Sequence, residues 1–139
     1  MTGDGSHNPI GIVCNSLASI SLEKRLILWS VDKSSTSYAD WIMTKSFIVH
    51  FLSADQQSLV KKFATKGTNK FKDIPYELSI DGNPMLDGAS VRMECATTEI
   101  FDTFDHALIV GTVTSLENFK RAPLIFVQRS LRGIELDTK

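Results

Sequence analysis

The apolar stretch Leu26-Ile27-Leu28-Trp29 continues through Ser30 and Val31 into Asp32-Lys33-Ser34-Ser35-Thr36-Ser37, and from Tyr38 onward the apolar residues fall at helical spacing. A strand that ends in hydroxyls and one ammonium, just ahead of a helix N-terminus, offers O–H and N–H donors, a positive charge and the favourable end of a helix dipole. Together these can hold a phosphate without any glycine. The plain alternative is that Ser37 is a helix N-cap and the residues before it a solvated turn. Asn15 and Ser16 close another apolar run. They either aim an amide and a hydroxyl into a pocket or begin the turn toward Ser19.

Other chemistry is sparse. His7, His50 and His106 are the three imidazoles, and they fall in a loop, a strand interior and a turn-to-strand junction, with no His-Glu-x-x-His spacing. That argues against a metal site built by the protein. No Gly-x-Ser-x-Gly elbow is present, neither cysteine has a local signature of activation, and no glycine-rich phosphate loop occurs, so hydrolysis is unsupported. Cys14 and Cys95 are far apart and lie in strand-like surroundings, which suits buried reduced thiols better than a zinc knuckle or a redox pair. By pattern alone His106 reads as a surface turn residue after Asp105, and His50 as a structural residue between Val49 and Phe51.

The elements that must position these residues are mostly strands. Ile12 to Ser16 and Leu26 to Val31 read as strands after a turn-rich opening of Gly3, Asp4, Gly5, Asn8, Pro9 and Gly11. Tyr38, Trp41 and Ile42 predict a short helix capped by Ser37. Phe47 to Leu52 predicts a strand buried on both faces. Ser53-Ala54-Asp55-Gln56 has the form of a capping box, and Leu59, Val60, Phe63 and Ala64 give the stripe of a second helix that stops near Gly67. Tyr76 to Ile80, Ala89 to Phe101, His106 to Leu116 and Leu124 to Gln128 follow as strands, with turns at Asp81-Gly82 and Asp87-Gly88. Val91, Met93 and Cys95 alternate with Arg92, Glu94 and Ala96, the period of a sheet with one dry face. About seven strands, two short helices and no strand–helix alternation predict a mainly β domain, a closed or nearly closed antiparallel barrel.

Composition sets the outer limits. The chain has 139 residues, 42% hydrophobic and 22% charged, with a net charge of −1. These are ordinary values for one globular domain, here residues 1–139. The basic residues are scattered, so no stripe suits nucleic acid. Apolar runs are too short for a membrane span and no charged-then-apolar leader opens the chain, so a cytoplasmic protein is expected.

The order of these features resembles the flavin reductase-like, FMN-binding split-barrel family. Gly11 to Leu22 is similar to the segment that opens the family's flavin pocket, Val31 to Ser37 to its phosphate-binding loop, and Phe47 to Leu52 to its next flavin-lining strand. Asp55 to Ala64 resembles the family's helix, Asn69-Lys70-Phe71 a short motif after it, and Leu86-Asp87-Gly88-Ala89 its central turn. Asp105-His106-Ala107-Leu108-Ile109-Val110-Gly111 resembles its Gly-Asp-His segment. The likeness covers about Gly5 to Gly133, and what is specific is the order of the motifs.

The resemblance implies a split barrel that lacks the family's usual first strand, a homodimer with flavin at the subunit boundary, and hydride transfer from NADH or NADPH to FMN or FAD. Reduced flavin would then pass to a partner monooxygenase. It implies that Lys33, Ser34, Ser35 and Ser37 bind the flavin phosphate, that Asn15 and Ser16 touch the isoalloxazine or ribityl chain, that Asp32 and His50 also belong to the cofactor-binding set, and that His106 helps place the nicotinamide. A cofactor that carries the redox chemistry fits a chain poor in acids, bases and nucleophiles. Some residues differ from the family pattern. Lys24-Arg25 stands where Pro-Pro is usual, His50 where Asn is common, Cys14-Asn15 where a hydroxyl-rich pair is, and Phe104 where Gly precedes the Asp-His pair. Two other readings remain on sequence grounds: a flavin carrier without reductase activity, and an interaction domain of the same fold without a pocket.

Overall fold

The computed structural model describes residues 1–5, 8–67 and 69–134. His7 lies outside them. In chain order the elements are β1 (Thr2–Gly3), β2 (Ile10–Gly11), β3 (Ala18–Ser21), β4 (Leu26–Asp32), α1 (Tyr38–Met43) and β5 (Ser46–Phe51). After a 3-10 turn at Ala54–Gln56 come α2 (Gln57–Ala64), β6 (Tyr76–Leu78), β7 (Pro84–Leu86), β8 (Val91–Asp102), β9 (His106–Asn118), β10 (Leu124–Val127) and β11 (Ser130–Gly133).

Seven strands form one antiparallel sheet in the order β2-β1-β5-β8-β9-β4-β3, and β6-β7 and β10-β11 are separate two-stranded pairs. The edges of the main sheet, β2 and β3, are consecutive in sequence, so residues 12–17 cross the gap between them. This is a barrel split along one seam. The long β8–β9 ribbon forms its spine, with register shifts at Glu94/Cys95 and Thr97/Glu99 that bend and coil it.

Alternation along the strands builds the core. Ile27, Trp29 and Val31 point inward from β4, Phe47 and Val49 from β5, Met93 and Cys95 from β8, and Ala107 and Ile109 from β9. Trp29 meets Trp41 edge-on at 5.0 Å and Phe47 at 5.7 Å between ring centroids, so α1 is held against the barrel interior by one aromatic contact. Phe47, Ile48 and Val49 are all buried, the two-faced burial their apolar run predicts. Burial pushes the Cys95 thiol up to about 12, which keeps it protonated.

Several local expectations are corrected. Ile12 to Ser16 is not a strand, because it spans the seam and has no strand to pair with; the ladder stops at Gly11. Residues of the turn-rich opening instead enter two short strands, β1 and β2, and β1 pairs with β5 through Thr2 and Ile48. Ala18–Ser21, β7 and β11 are strands the sequence did not suggest. Ser37 precedes α1 but does not cap it: its backbone, at φ −104° and ψ 12°, is not extended, and the side chain makes no capping bond. The turn at Ser53 follows expectation, with the Gln56 side chain accepting from the Ser53 N–H at 3.1 Å.

Candidate functional site

A cleft of about 800 Å³ opens along α2, walled by the seam segment, by β5 and by the β10–β11 hairpin. That volume falls within the range of small-molecule sites. Its two ends differ in character. At the C-terminal end of α2 the lining residues are Asp32, Ser34, Ser35, Thr36, Lys66 and Lys70; elsewhere they are mostly apolar, among them Val49, Leu52, Leu59 and Val60. Lys66 is close enough to Asp32 to favour its charged form, which joins the hydroxyl loop and the α2 end as one polar pole.

The loop after β4 is shaped by its own side chains. Asp32 Oδ1 accepts the Ser34 N–H at 2.7 Å, and Asp32 O accepts the Ser35 N–H at 2.9 Å. This is a turn mimicked and closed by an aspartate. The Ser34 bonds hold the Asp32 carboxyl below its usual range. A carboxylate next to an anion site repels its ligand, so in this geometry Asp32 shapes the turn while Ser34, Ser35 and Thr36 line the cleft. Ser37 is not on the cleft wall. Its amide donates to Ser35 Oγ at 3.4 Å, and its hydroxyl lies 3.3 Å from that oxygen.

Lys33 is not on the cleft wall either. Its ammonium lies 2.7 Å from Asp102 Oδ1 and donates to Thr103 O at 2.8 Å, tying β4 to the tip of the β8–β9 ribbon. Lys70, not Lys33, is on the cleft wall. Lys70 Nζ donates to Phe63 O at 2.8 Å and Gly11 O at 3.0 Å, and it has no carboxylate partner among the described residues. Partial burial lowers its pKa. A half-hidden cation held by carbonyls alone has one N–H left to give and a charge left to balance.

The remaining expected residues divide. Asn15 lines the cleft beside Cys14, which is only partly buried, contrary to the expectation of two buried thiols. Ser16 does not: its Oγ accepts the Ser30 N–H at 2.9 Å, two residues ahead of the start of β3. His50 is on the wall, but its Nε2 accepts the Leu86 N–H at 3.0 Å, which puts the proton on Nδ1. That Nδ1–H is buried without a partner. Burial, helped by repulsion from the amino terminus and Arg92, pushes the His50 pKa down to about 3. His106 lies outside the cleft, paired in register with Asp32 at its polar mouth. Its Nδ1 is 2.8 Å from Asp105 Oδ1, and that bond raises the imidazole pKa while lowering the carboxyl.

The donor set suits a molecule with a phosphate at one end and a flat apolar body at the other, the shape of a flavin nucleotide. Lys66, Lys70 and the aromatic wall residue Phe126 were missed from the sequence. Lys70 was visible within Asn69-Lys70-Phe71, but nothing local indicated what its ammonium would meet. The cleft does not favour a pocket-less domain. Among the described residues no group of three or more His, Cys, Asp and Glu could hold a metal ion, and no helix is long and apolar enough to cross a membrane.

Known proteins share this architecture. The chain is 36% identical over 126 residues to the FMN reductase (NADH) SmoA of Agrobacterium fabrum, covering 91% of this chain and 72% of that one. It is 34% identical over 130 residues to the reductase subunit HsaB of a flavin-dependent monooxygenase from Rhodococcus jostii, covering 93% and 67%. Among solved structures, nitrilotriacetate monooxygenase component B from Mycobacterium thermoresistibile superposes with a TM-score of 0.87 at 30% identity, over 99% of this chain and 79% of that one. The NADH:FAD oxidoreductase SgcE6 of Streptomyces globisporus, solved with NAD and FAD fragments, gives 0.88 at 27% identity over 99% and 84%. The family model described as flavin reductase like domain matches residues 1–135, and the chain belongs to that family.

Proposed function

We propose that this chain is an NAD(P)H-dependent flavin reductase that binds FMN, or FAD, in the cleft along α2 and supplies reduced flavin to a partner monooxygenase. The observation that carries the reading is the polarity of the cleft: hydroxyls and two ammonium groups at one end, mostly apolar walls along the rest. The names and complexes of its relatives support the same chemistry.

Ser34, Ser35 and Thr36 would donate to the phosphate, with Lys70 and Lys66 balancing its charge. Asn15, on the cleft wall, would meet a polar edge of the cofactor, and Val49, Leu52, Leu59 and Val60 would exclude water from its ring. Flavin, when bound, supplies a two-electron acceptor for the hydride of a reduced nicotinamide. The protein then has only to bind, orient and shield two flat rings, a task that needs no nucleophile. His106, favoured in its charged form by Asp105, would place the nicotinamide dinucleotide at the polar mouth. Lys33, off the cleft wall, ties the loop to the ribbon tip, and Asp32 closes its turn.

Assembly as a homodimer is part of this reading. A second, apolar groove of about 620 Å³ runs along β3, β4 and β9 and shares Leu17 and Phe51 with the cofactor cleft. Leu22 at its rim is 89% exposed, surface that a second copy would cover. Cytoplasmic location agrees with the two free thiols. The test is NADH or NADPH oxidation by the purified protein with and without added FMN or FAD. Oxidation that depends on added flavin is expected; none with either nicotinamide and either flavin refutes the proposal.

A further inference from the structure

The apolar end of the cleft is bounded by a hairpin that pairs with nothing but itself. Strands β10 and β11 form their own two-stranded sheet. The hairpin is anchored at its base, where Leu124 N–H donates to Leu52 O at 2.8 Å and Ala54 N–H to Ala122 O at 2.9 Å. At its tip Gln128 and Arg129 have φ of 49° and 65°. This left-handed, two-residue turn twists in the same sense as the strands and so fixes which face the hairpin turns to the cleft.

On that face Phe126 stands directly opposite Leu131, and with Leu124 they line the cleft. Phe126 is 66% exposed, and among the described residues no aromatic ring packs against it. An anchored strand thus presents a bare aromatic ring to the open side of the site. The polar pole lies at the other end of α2, whose eight residues span about 12 Å at the rise of an α-helix. A ligand with its phosphate at Ser34–Thr36 and Lys70 would therefore bring its ring system toward Phe126.

We propose that Phe126 is a stacking wall for a planar heteroaromatic ring of the bound nucleotide. This rests on the reading of the cleft as a flavin site and adds to it a ring-binding residue on the C-terminal hairpin. Aromatic faces bind planar bases through dispersion and offset stacking, which an aliphatic side chain of similar volume reproduces only in part.

The test is flavin fluorescence titration of the wild-type chain and of Phe126→Ala, Phe126→Leu and Phe126→Tyr, using riboflavin, FMN and FAD, with the KM for NADH measured beside it. Phe126 is largely exposed, so all three variants should fold; far-UV circular dichroism and Tm check this. Phe126→Ala is expected to weaken riboflavin and FMN equally, by about ten- to one-hundred-fold, with Phe126→Tyr restoring affinity and Phe126→Leu failing to. That pattern identifies the isoalloxazine as the stacked ring. A loss confined to FAD or to the KM for NADH supports stacking as well, on the adenine or nicotinamide. Unchanged affinity for every ligand, or full recovery with Leu, overturns the proposal. A wild-type chain that binds no flavin would instead refute the flavin site itself.

Discussion

Replacing Lys70 separates two accounts of how the phosphate is held. Its ammonium has three N–H donors, two of them engaged by Phe63 O and Gly11 O, and among the described residues it makes no ion pair with a carboxylate. A phosphate within hydrogen-bond reach would interact with that charge by about 4 kcal/mol per unit charge at an effective dielectric of 20. Solvent at this partly open site reduces the figure to the about 1.5–3 kcal/mol of a charge-assisted hydrogen bond. Lys70→Gln should therefore weaken FMN by about ten- to one-hundred-fold while leaving riboflavin, which has no phosphate, almost unchanged. The ratio of the two affinities cancels any general loosening caused by the lost carbonyl contacts. The assay is parallel fluorescence titration with both flavins. In the same assay Lys33→Ala should leave FMN binding unaltered, because its ammonium is already committed to Asp102 and Thr103. Equal losses for FMN and riboflavin in Lys70→Gln, or a phosphate-specific loss in Lys33→Ala, would refute the reasoning.

Three further outcomes follow from the same geometry. His50 is held neutral with a pKa of about 3 against 6.5 when unfolded, so its contribution is complete above pH 6.5 and is lost as pH falls toward 3. Between pH 7 and 5 that amounts to about 2 kcal/mol, read by urea unfolding; an identical pH dependence in His50→Gln would contradict it. His106→Ala should lower kcat/KM for the nicotinamide more than it weakens flavin, and Asp105→Asn should bring the raised His106 pKa back toward 6.5 in an NMR titration. The reverse kinetic pattern, or an unmoved titration, counts against the assignment. A Cβ at Gly11 would meet the Phe63 ring at 2.4 Å, so Gly11→Ala should cost about 1–3 kcal/mol of stability and disturb the cleft wall. Unchanged Tm and flavin affinity would show that the ring can move aside.

The strands that carry the core were legible wherever alternation was strong. Leu26–Asp32 buries every second residue and Val91–Asp102 does so at Met93 and Cys95, and the two helices were marked by spacing and by the Ser53-Gln56 pair. What misled was local likeness without a partner. Ile12 to Ser16 has the composition of a strand but crosses the seam, and Ser130–Gly133 is polar because it pairs only with β10 at the surface. The site was half readable for the same reason. Ser34, Ser35 and Asn15 reach the cleft because they sit in the loops that border it. The cation could not be read locally, since Lys33 is claimed by a ribbon tip 70 residues later in the chain and Lys70 is delivered by the turn after α2. Ser16 and Ser37 are diverted by backbone and side-chain bonds that only the fold reveals.

The most direct test of the central claim is anaerobic reduction of the flavin-loaded protein. With FMN or FAD bound and NADH or NADPH added, the oxidised-flavin absorbance should bleach within seconds and return on admitting oxygen. A tightly bound flavin that keeps its colour with both nicotinamides would contradict the assignment of reductase activity.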